Sequence, residues 1–145
     1  SDTLLGIREA VVRVGITHDL IDAAPQGSIL SNSDRSIPGG LPQHKLKWVT
    51  DYINNYLDRQ LSLQELAAIA QLSPYHFSRA FKQSIGISPH QYVIQQRIER
   101  AKQLVLQGKM SLADIAIACG FSHQSHLNRH FKRITGVTPK NLLKS

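Results

Sequence analysis

The chain has 145 residues, 41% of them hydrophobic and 19% charged, enough to bury a core of ordinary size in a globular fold. Its formal net charge of +7 is uneven: residues 44–145 carry 14 Lys and Arg against 5 Asp and Glu, while residues 1–43 carry 3 against 5. The basic part favours a polyanionic partner; no apolar run approaches the roughly 18 residues of a membrane helix, and Ser1-Asp2-Thr3 is no secretory signal.

The chain opens on Ser rather than Met, so further sequence upstream is expected. In residues 3–14, Leu4, Ile7, Val11 and Val14 make one helical stripe. Gly15 stops it, and Thr17 to Asp19 start a short second turn reaching Ala24. Residues 1–24 thus read as a helical extension. Residues 25–43 hold eleven Pro, Gly, Ser or Asn in nineteen positions and read as a linker.

From His44 the pattern is helical, with Leu46, Val49, Ile53 and Leu57 on one stripe beside Trp48, Tyr52 and Tyr56. Ser62 with Glu65 forms a capping box before a short Ala-rich second helix, LQELAAIA. Gln71-Leu72-Ser73 is a turn. Ser73 then caps a third helix with Pro74 in its first position, where a missing N–H is harmless, and Gly86 stops it. Ser88-Pro89 repeats that device for a fourth helix reaching about Gln107, stopped by Gly108. Ser111 with Asp114 is a weaker capping box for the fifth helix, and Gly120 marks a turn. The sixth helix runs from about His123 to Ile134 and stops at Gly136, and Thr138-Pro139 caps a short last one.

Part of this pattern occurs twice. Ser62-Leu63, Leu66-Ala67 and Leu72-Ser73 recur 49 positions later as Ser111-Leu112, Ile115-Ala116 and Phe121-Ser122. Beyond the turn the offset is 50: Phe77, Arg79, Phe81, Lys82, Gly86 and Pro89 recur as Leu127, Arg129, Phe131, Lys132, Gly136 and Pro139. The second copy therefore has one extra residue at the start of its second helix. Two like units suggest two equivalent contacts, since a solenoid needs about three or more.

Helical geometry divides each copy's second helix into faces. In the third helix Phe77, Phe81 and Ile85 point inward, with Tyr75, Arg79 and Gln83 nearly opposite and His76 and Lys82 flanking. In the sixth, Leu127, Phe131 and Ile134 point inward, with Ser125, Arg129 and Lys132 outward, flanked by Asn128 and Gln124. Arg reads guanine bidentately in the major groove, and Asn or Gln reads adenine. The same side chains attract phosphates, so some position rather than specify.

These residues resemble a known family. SLQELAAIAQLSPYHFSRAFKQSIGISPHQYV and SLADIAIACGFSHQSHLNRHFKRITGVTPKNLL look like the two helix-turn-helix units of the AraC/XylS transcription regulators. The run Gly120-Phe121-Ser122, Ser125, Arg129, Phe131-Lys132, Gly136 and Thr138-Pro139 is close to that family's signature. The resemblance covers about Leu41 to Leu143 and implies an all-α fold: a seven-helix bundle of two helix-turn-helix subdomains, at about 62–85 and 111–135, joined by a long linker helix. It implies that 44–145 is a DNA-binding domain acting on a double-stranded operator, in the bacterial cytoplasm at the nucleoid, with no cofactor. RNA polymerase is the further partner implied, and an effector or dimerisation domain is expected upstream, residues 1–24 being its tail. By the same analogy Tyr75, Ser78 and Arg79, and Gln124, Ser125, Asn128 and Arg129, match base-reading positions.

Plainer roles account for the rest. Phe77, Phe81, Leu127 and Phe131 are expected in the core. Cys119, the one cysteine, stands where the first copy has Ala70 and is expected to be inert; the DNA-repair alkyl acceptors that share such units need several reactive cysteines. No Gly-rich phosphate loop, paired nucleophile and base, or placed carboxylate pair is present, so no enzyme is expected. His123, His126 and His130 fall in one sector without a carboxylate, which suits surface or phosphate contact better than a metal. Lys82 and Lys132 are expected on phosphates. Arg97 and Arg100 have Glu99 or Asp114 as possible internal partners.

Overall fold

The computed structural model describes residues 39–144, and within them the chain is all-α, as expected. The elements are α1 (Gln43–Asn55), α2 (Leu63–Ala70), α3 (Pro74–Ile85), α4 (Pro89–Gln107), α5 (Leu112–Ala118), α6 (Gln124–Thr135) and α7 (Pro139–Lys144). The extension at 1–24 and the linker as far as residue 38 lie outside the described residues. Contacts divide the chain into two compact units. The first takes described residues 39–52 and 62–89, the second 53–61 and 90–144.

Short-range capping explains the helices of the first unit. The Glu65 N–H donates to Ser62 Oγ at 3.1 Å and starts α2. Gln71 closes α2 in a left-handed conformation, φ +60°, unusual for a residue with a side chain. Two residues later Ser73 Oγ accepts the His76 N–H and caps α3, with Pro74 in its first turn. α2 packs against α3. Leu66, Ala67, Ile69 and Ala70 of α2 are buried, as are Phe77, Ala80 and Phe81 of α3, and the Phe77 and Phe81 ring centroids lie 5.6 Å apart. The small side chains of α2 suit this close approach. Tyr52 of α1 is buried and donates its hydroxyl to the Glu65 carboxylate. Leu41, in the stretch read as linker, is buried, and its N–H donates to Ser84 Oγ at 2.8 Å.

The second unit has a core of Ile94, Ile98, Ala101, Val105, Ile115, Ala116, Cys119, Phe121, Leu127 and Phe131. α5 packs against α6, and α6 against α7. Leu57 is buried here, but α1 ends at Asn55 and Leu57 sits in the following turn, not on the helical stripe. The partner of Arg97 also differs from expectation. Its side chain is only 8% exposed, and it donates from Nε to the Leu57 carbonyl at 3.1 Å and from Nη2 to the Arg59 carbonyl at 2.8 Å. Burial lowers its pKa from the ordinary arginine value, with Cys119 and Asp58 opposing. The core, not an acidic partner, thus explains Arg97: it donates to two main-chain carbonyls of the turn after α1. Ile134 was expected inward but is 38% exposed. Periodicity gives a direction, whereas burial needs a neighbour, and the last turn of α6 has too little cover.

The extra residue of the second copy is His123. Ser73 caps α3, but the corresponding Ser122 does not cap α6. His123 is extended there, φ −163°, and its Nδ1 accepts the His126 N–H at 3.1 Å. Cys119 is fully buried, and burial raises its thiol pKa to about 11, which makes it a poor nucleophile. His126 and His130 are half-buried, and His123 is exposed. Their rings lie 4.8 Å apart, and Phe121 meets His126 edge-on at 5.4 Å and stacks on His130 at 5.9 Å.

Gly120 joins these features. It adopts φ +86°, and a Cβ there would stand 2.2 Å from the Leu57 carbonyl oxygen and 2.7 Å from Arg97 Nε. Gly120→Ala is therefore expected to destabilise the protein by about 2–4 kcal/mol. Gly136 has a similar φ, +88°, but open space around it, so Gly136→Ala is expected to lose only about 1–2 kcal/mol. Chemical unfolding of both variants checks this, and equal losses would contradict it. A second expectation concerns pH. Burial, helped by the positive charges of Arg129, Arg133, Arg97, His123 and His90, lowers the pKa of His126 and His130. Arg133 Nη2 also donates to His130 Nδ1 at 2.9 Å, which requires that nitrogen to be unprotonated. The unfolded chain binds these protons more readily. Stability is therefore complete above the ordinary histidine pKa, about 6.5, and declines as pH falls below it. Thermal unfolding from about pH 8 to 5.5 should show a falling Tm, and the fall should shrink in His130→Gln. A flat profile would contradict this.

Candidate nucleic-acid interface

Each unit presents one helix whose buried face fixes what its other face shows. In α3, Phe77 and Phe81 are completely buried. At about 100° per residue, a side chain midway between them in sequence points away from the core. That residue is Arg79, which is exposed, as are Tyr75, His76, Lys82 and Gln83. Ser78 is half-buried. In α6, Leu127 and Phe131 are completely buried, and Arg129 is exposed between them. Gln124, Ser125 and Lys132 are exposed, while Asn128 is half-buried. The two least exposed of the eleven candidates, Ser78 and Asn128, occupy matching places in the repeat.

The electrostatics of the two faces agree. Neither α3 nor α6 contains Asp or Glu, so neither N-terminal turn offers a carboxylate to the positive end of the helix dipole. With Arg79 and Lys82 on one helix and Arg129, Lys132 and Arg133 on the other, both faces attract anions. On α3, Arg79, Lys82, Gln83 and Gly86 line an open cavity of about 320 Å³, a notch edged by two cations. Among the described residues no group of three or more His, Cys, Asp or Glu is arranged to hold a metal ion.

Local hydrogen bonds differ between the helices. Arg79 Nη1 donates to the Tyr75 hydroxyl at 3.0 Å, and the guanidinium carbon lies 5.6 Å from the Tyr75 ring centroid. His76 Nδ1 is 2.9 Å from Ser73 Oγ, which secures the start of α3. In α6, Ser125 stands where α3 has Tyr75, and its hydroxyl is 3.0 Å from His123 Nδ1. Asn128 Oδ1 is buried without a hydrogen-bond partner, a group that ordinarily finds one in water or in a ligand. Sequence reasoning assigned no capping role to His123, which ties down Ser125. The one-residue change of offset between the copies was its only trace.

A family described as a helix-turn-helix domain matches residues 66–145, more than half of the chain. The probable transcriptional regulator LumQ of Photobacterium leiognathi is 38% identical over 91 residues, which cover 63% of this chain and 37% of LumQ. The bifunctional transcriptional activator/DNA repair enzyme AdaA of Bacillus subtilis is 37% identical over 91 residues, 63% of this chain and 43% of AdaA. The chain thus spans less than half the length of these curated relatives. A transcriptional regulator from Chromobacterium violaceum, described as of the AraC-type DNA-binding-domain proteins, has a solved structure that aligns with a TM-score of 0.67 at 29% identity, over 70% of this chain and 91% of that one. With its doubled helix-turn-helix, its all-helical fold and these likenesses, the chain belongs to the AraC/XylS family of transcription regulators.

Proposed function

We propose that this chain is the DNA-contacting part of a transcription regulator, with α3 and α6 each entering a major groove of double-stranded DNA and reading sequence there. One observation carries the reading. Arg79 and Arg129 stand at matching places in two separately capped helices, each exposed between a pair of fully buried side chains. A solvated arginine arising by chance has no reason to recur in that setting. Arg79 and Arg129 read base edges, and Gln124 and Asn128 add amide donors and acceptors. Lys82 and Lys132 neutralise phosphates, and Tyr75, His76, Ser78, Gln83 and Ser125 complete the two faces.

The length of α4 supports a bipartite site. Its 19 residues rise about 28 Å at 1.5 Å each, against about 34 Å between successive major grooves on one face of a duplex. The proposal is that both readers act on one duplex, which bends to meet them at an expense of roughly 1–6 kcal/mol. RNA polymerase as a further partner, an effector or dimerisation domain upstream, and a place at the bacterial nucleoid belong to the same proposal. No enzymatic step is proposed. AdaA is named a repair enzyme as well as an activator, but here the one cysteine is buried and its thiol pKa is raised.

Binding to random duplex should weaken steeply with salt, as phosphate neutralisation requires. Footprinting on a selected site should show two protected patches about one helical turn apart. Arg79→Ala and Arg129→Ala should each lose roughly 1–3 kcal/mol and relax sequence preference in different patches. A competition series with no preference for any sequence would overturn the reading, and equal losses on every sequence would reduce both arginines to phosphate contacts.

A further inference from the structure

The geometry points to Tyr75 as a positioning residue: its hydroxyl holds the Arg79 guanidinium in the orientation from which Arg79 reads a base. This rests on the DNA-reading function proposed above and adds a division of labour within one reader. Tyr75 and Arg79 are one helical turn apart on α3, where i and i+4 side chains meet. The hydroxyl accepts from Arg79 Nη1 at 3.0 Å, and the guanidinium lies within cation–π reach of the ring, 5.6 Å from its centroid. Tyr75 is 64% exposed, so it is not held there for the core. One Nη1 proton is used in this bond. The Nε and Nη2 edge keeps its donors, and a bidentate contact with guanine needs two.

An arginine on a helix surface samples many rotamers, and binding must select one. A partner that already restrains it reduces that loss. The second reader lacks this device, because Ser125 replaces the tyrosine and its short side chain is engaged with His123. The first reader is therefore pre-set, whereas among the described residues no side chain holds Arg129 in this way.

Tyr75→Phe tests this, since it keeps the ring and removes only the oxygen. On a selected duplex its affinity should fall about 3- to 10-fold. The slope of binding against salt and the Tm should stay unchanged, because no charge is removed and the ring remains. In an Arg79→Ala background, Tyr75→Phe should change nothing, because the side chain it positions is gone. A loss of the same size in that background would overturn the inference by making Tyr75 a DNA contact in its own right. No loss in either background would overturn it too. If wild-type protein fails to prefer the selected duplex, the DNA-reading function itself falls, and that result is separate from either of the others.

Discussion

Rotation of two short helices about their own axes is the constraint on which the candidate site depends. Phe77 and Phe81 leave α3 one way to lie, and Leu127 and Phe131 do the same for α6, because all four are fully buried. Burying a large apolar side chain is worth about 1.5–3 kcal/mol, so a helix rolled by half a turn would forfeit two such terms and bury an arginine. Arg79 and Arg129 face outward because their neighbours two positions away cannot. Capping then fixes where each helix starts, through Ser73 in one and His123 in the other. The chemistry of the face is thus set by residues that never touch it.

The two units reach this end by different means. In the first, the α2–α3 turn passes through Gln71 at a positive φ, in a region where a side chain is strained. The matching position in the second unit is Gly120, and there glycine is required. Its missing Cβ makes room for the Leu57 carbonyl and the Arg97 guanidinium. Arg97 donates to the Leu57 and Arg59 carbonyls from within the core, which ties the turn after α1 to α4. An unpaired cation at that depth would be severely destabilising, and here the two carbonyls satisfy it. Phe121, one residue past Gly120, then carries the rings of His126 and His130.

What could be read beforehand was local. Serine caps, Pro at a first helical position and Gly at a stop act over one turn, so α2 and α4 fall where Ser62, Ser88-Pro89 and Gly108 put them. The faces of α3 and α6 were legible because the spacing of Phe77 with Phe81, and of Leu127 with Phe131, sets which side turns inward. Features depending on neighbours distant in sequence were not. The end of α1 before Leu57, the exposure of Ile134 and the carbonyl partners of Arg97 each follow from packing that periodicity does not encode. The capping role of His123 depended on a single inserted residue, and Asn128 Oδ1 became conspicuous only once its surroundings were known. At the site, the exposed arginines were legible and the Tyr75–Arg79 hydrogen bond was not, since spacing permits such a bond without requiring it.

The central claim is that Arg79 and Arg129 touch base edges and not only the backbone. Replacing guanines of a selected duplex, one at a time, by 7-deazaguanine removes the major-groove N7 acceptor and leaves every phosphate in place. The account predicts losses of about tenfold at a guanine in each of two patches, one loss absent in Arg79→Ala and the other in Arg129→Ala. Affinity indifferent to every such replacement would contradict it.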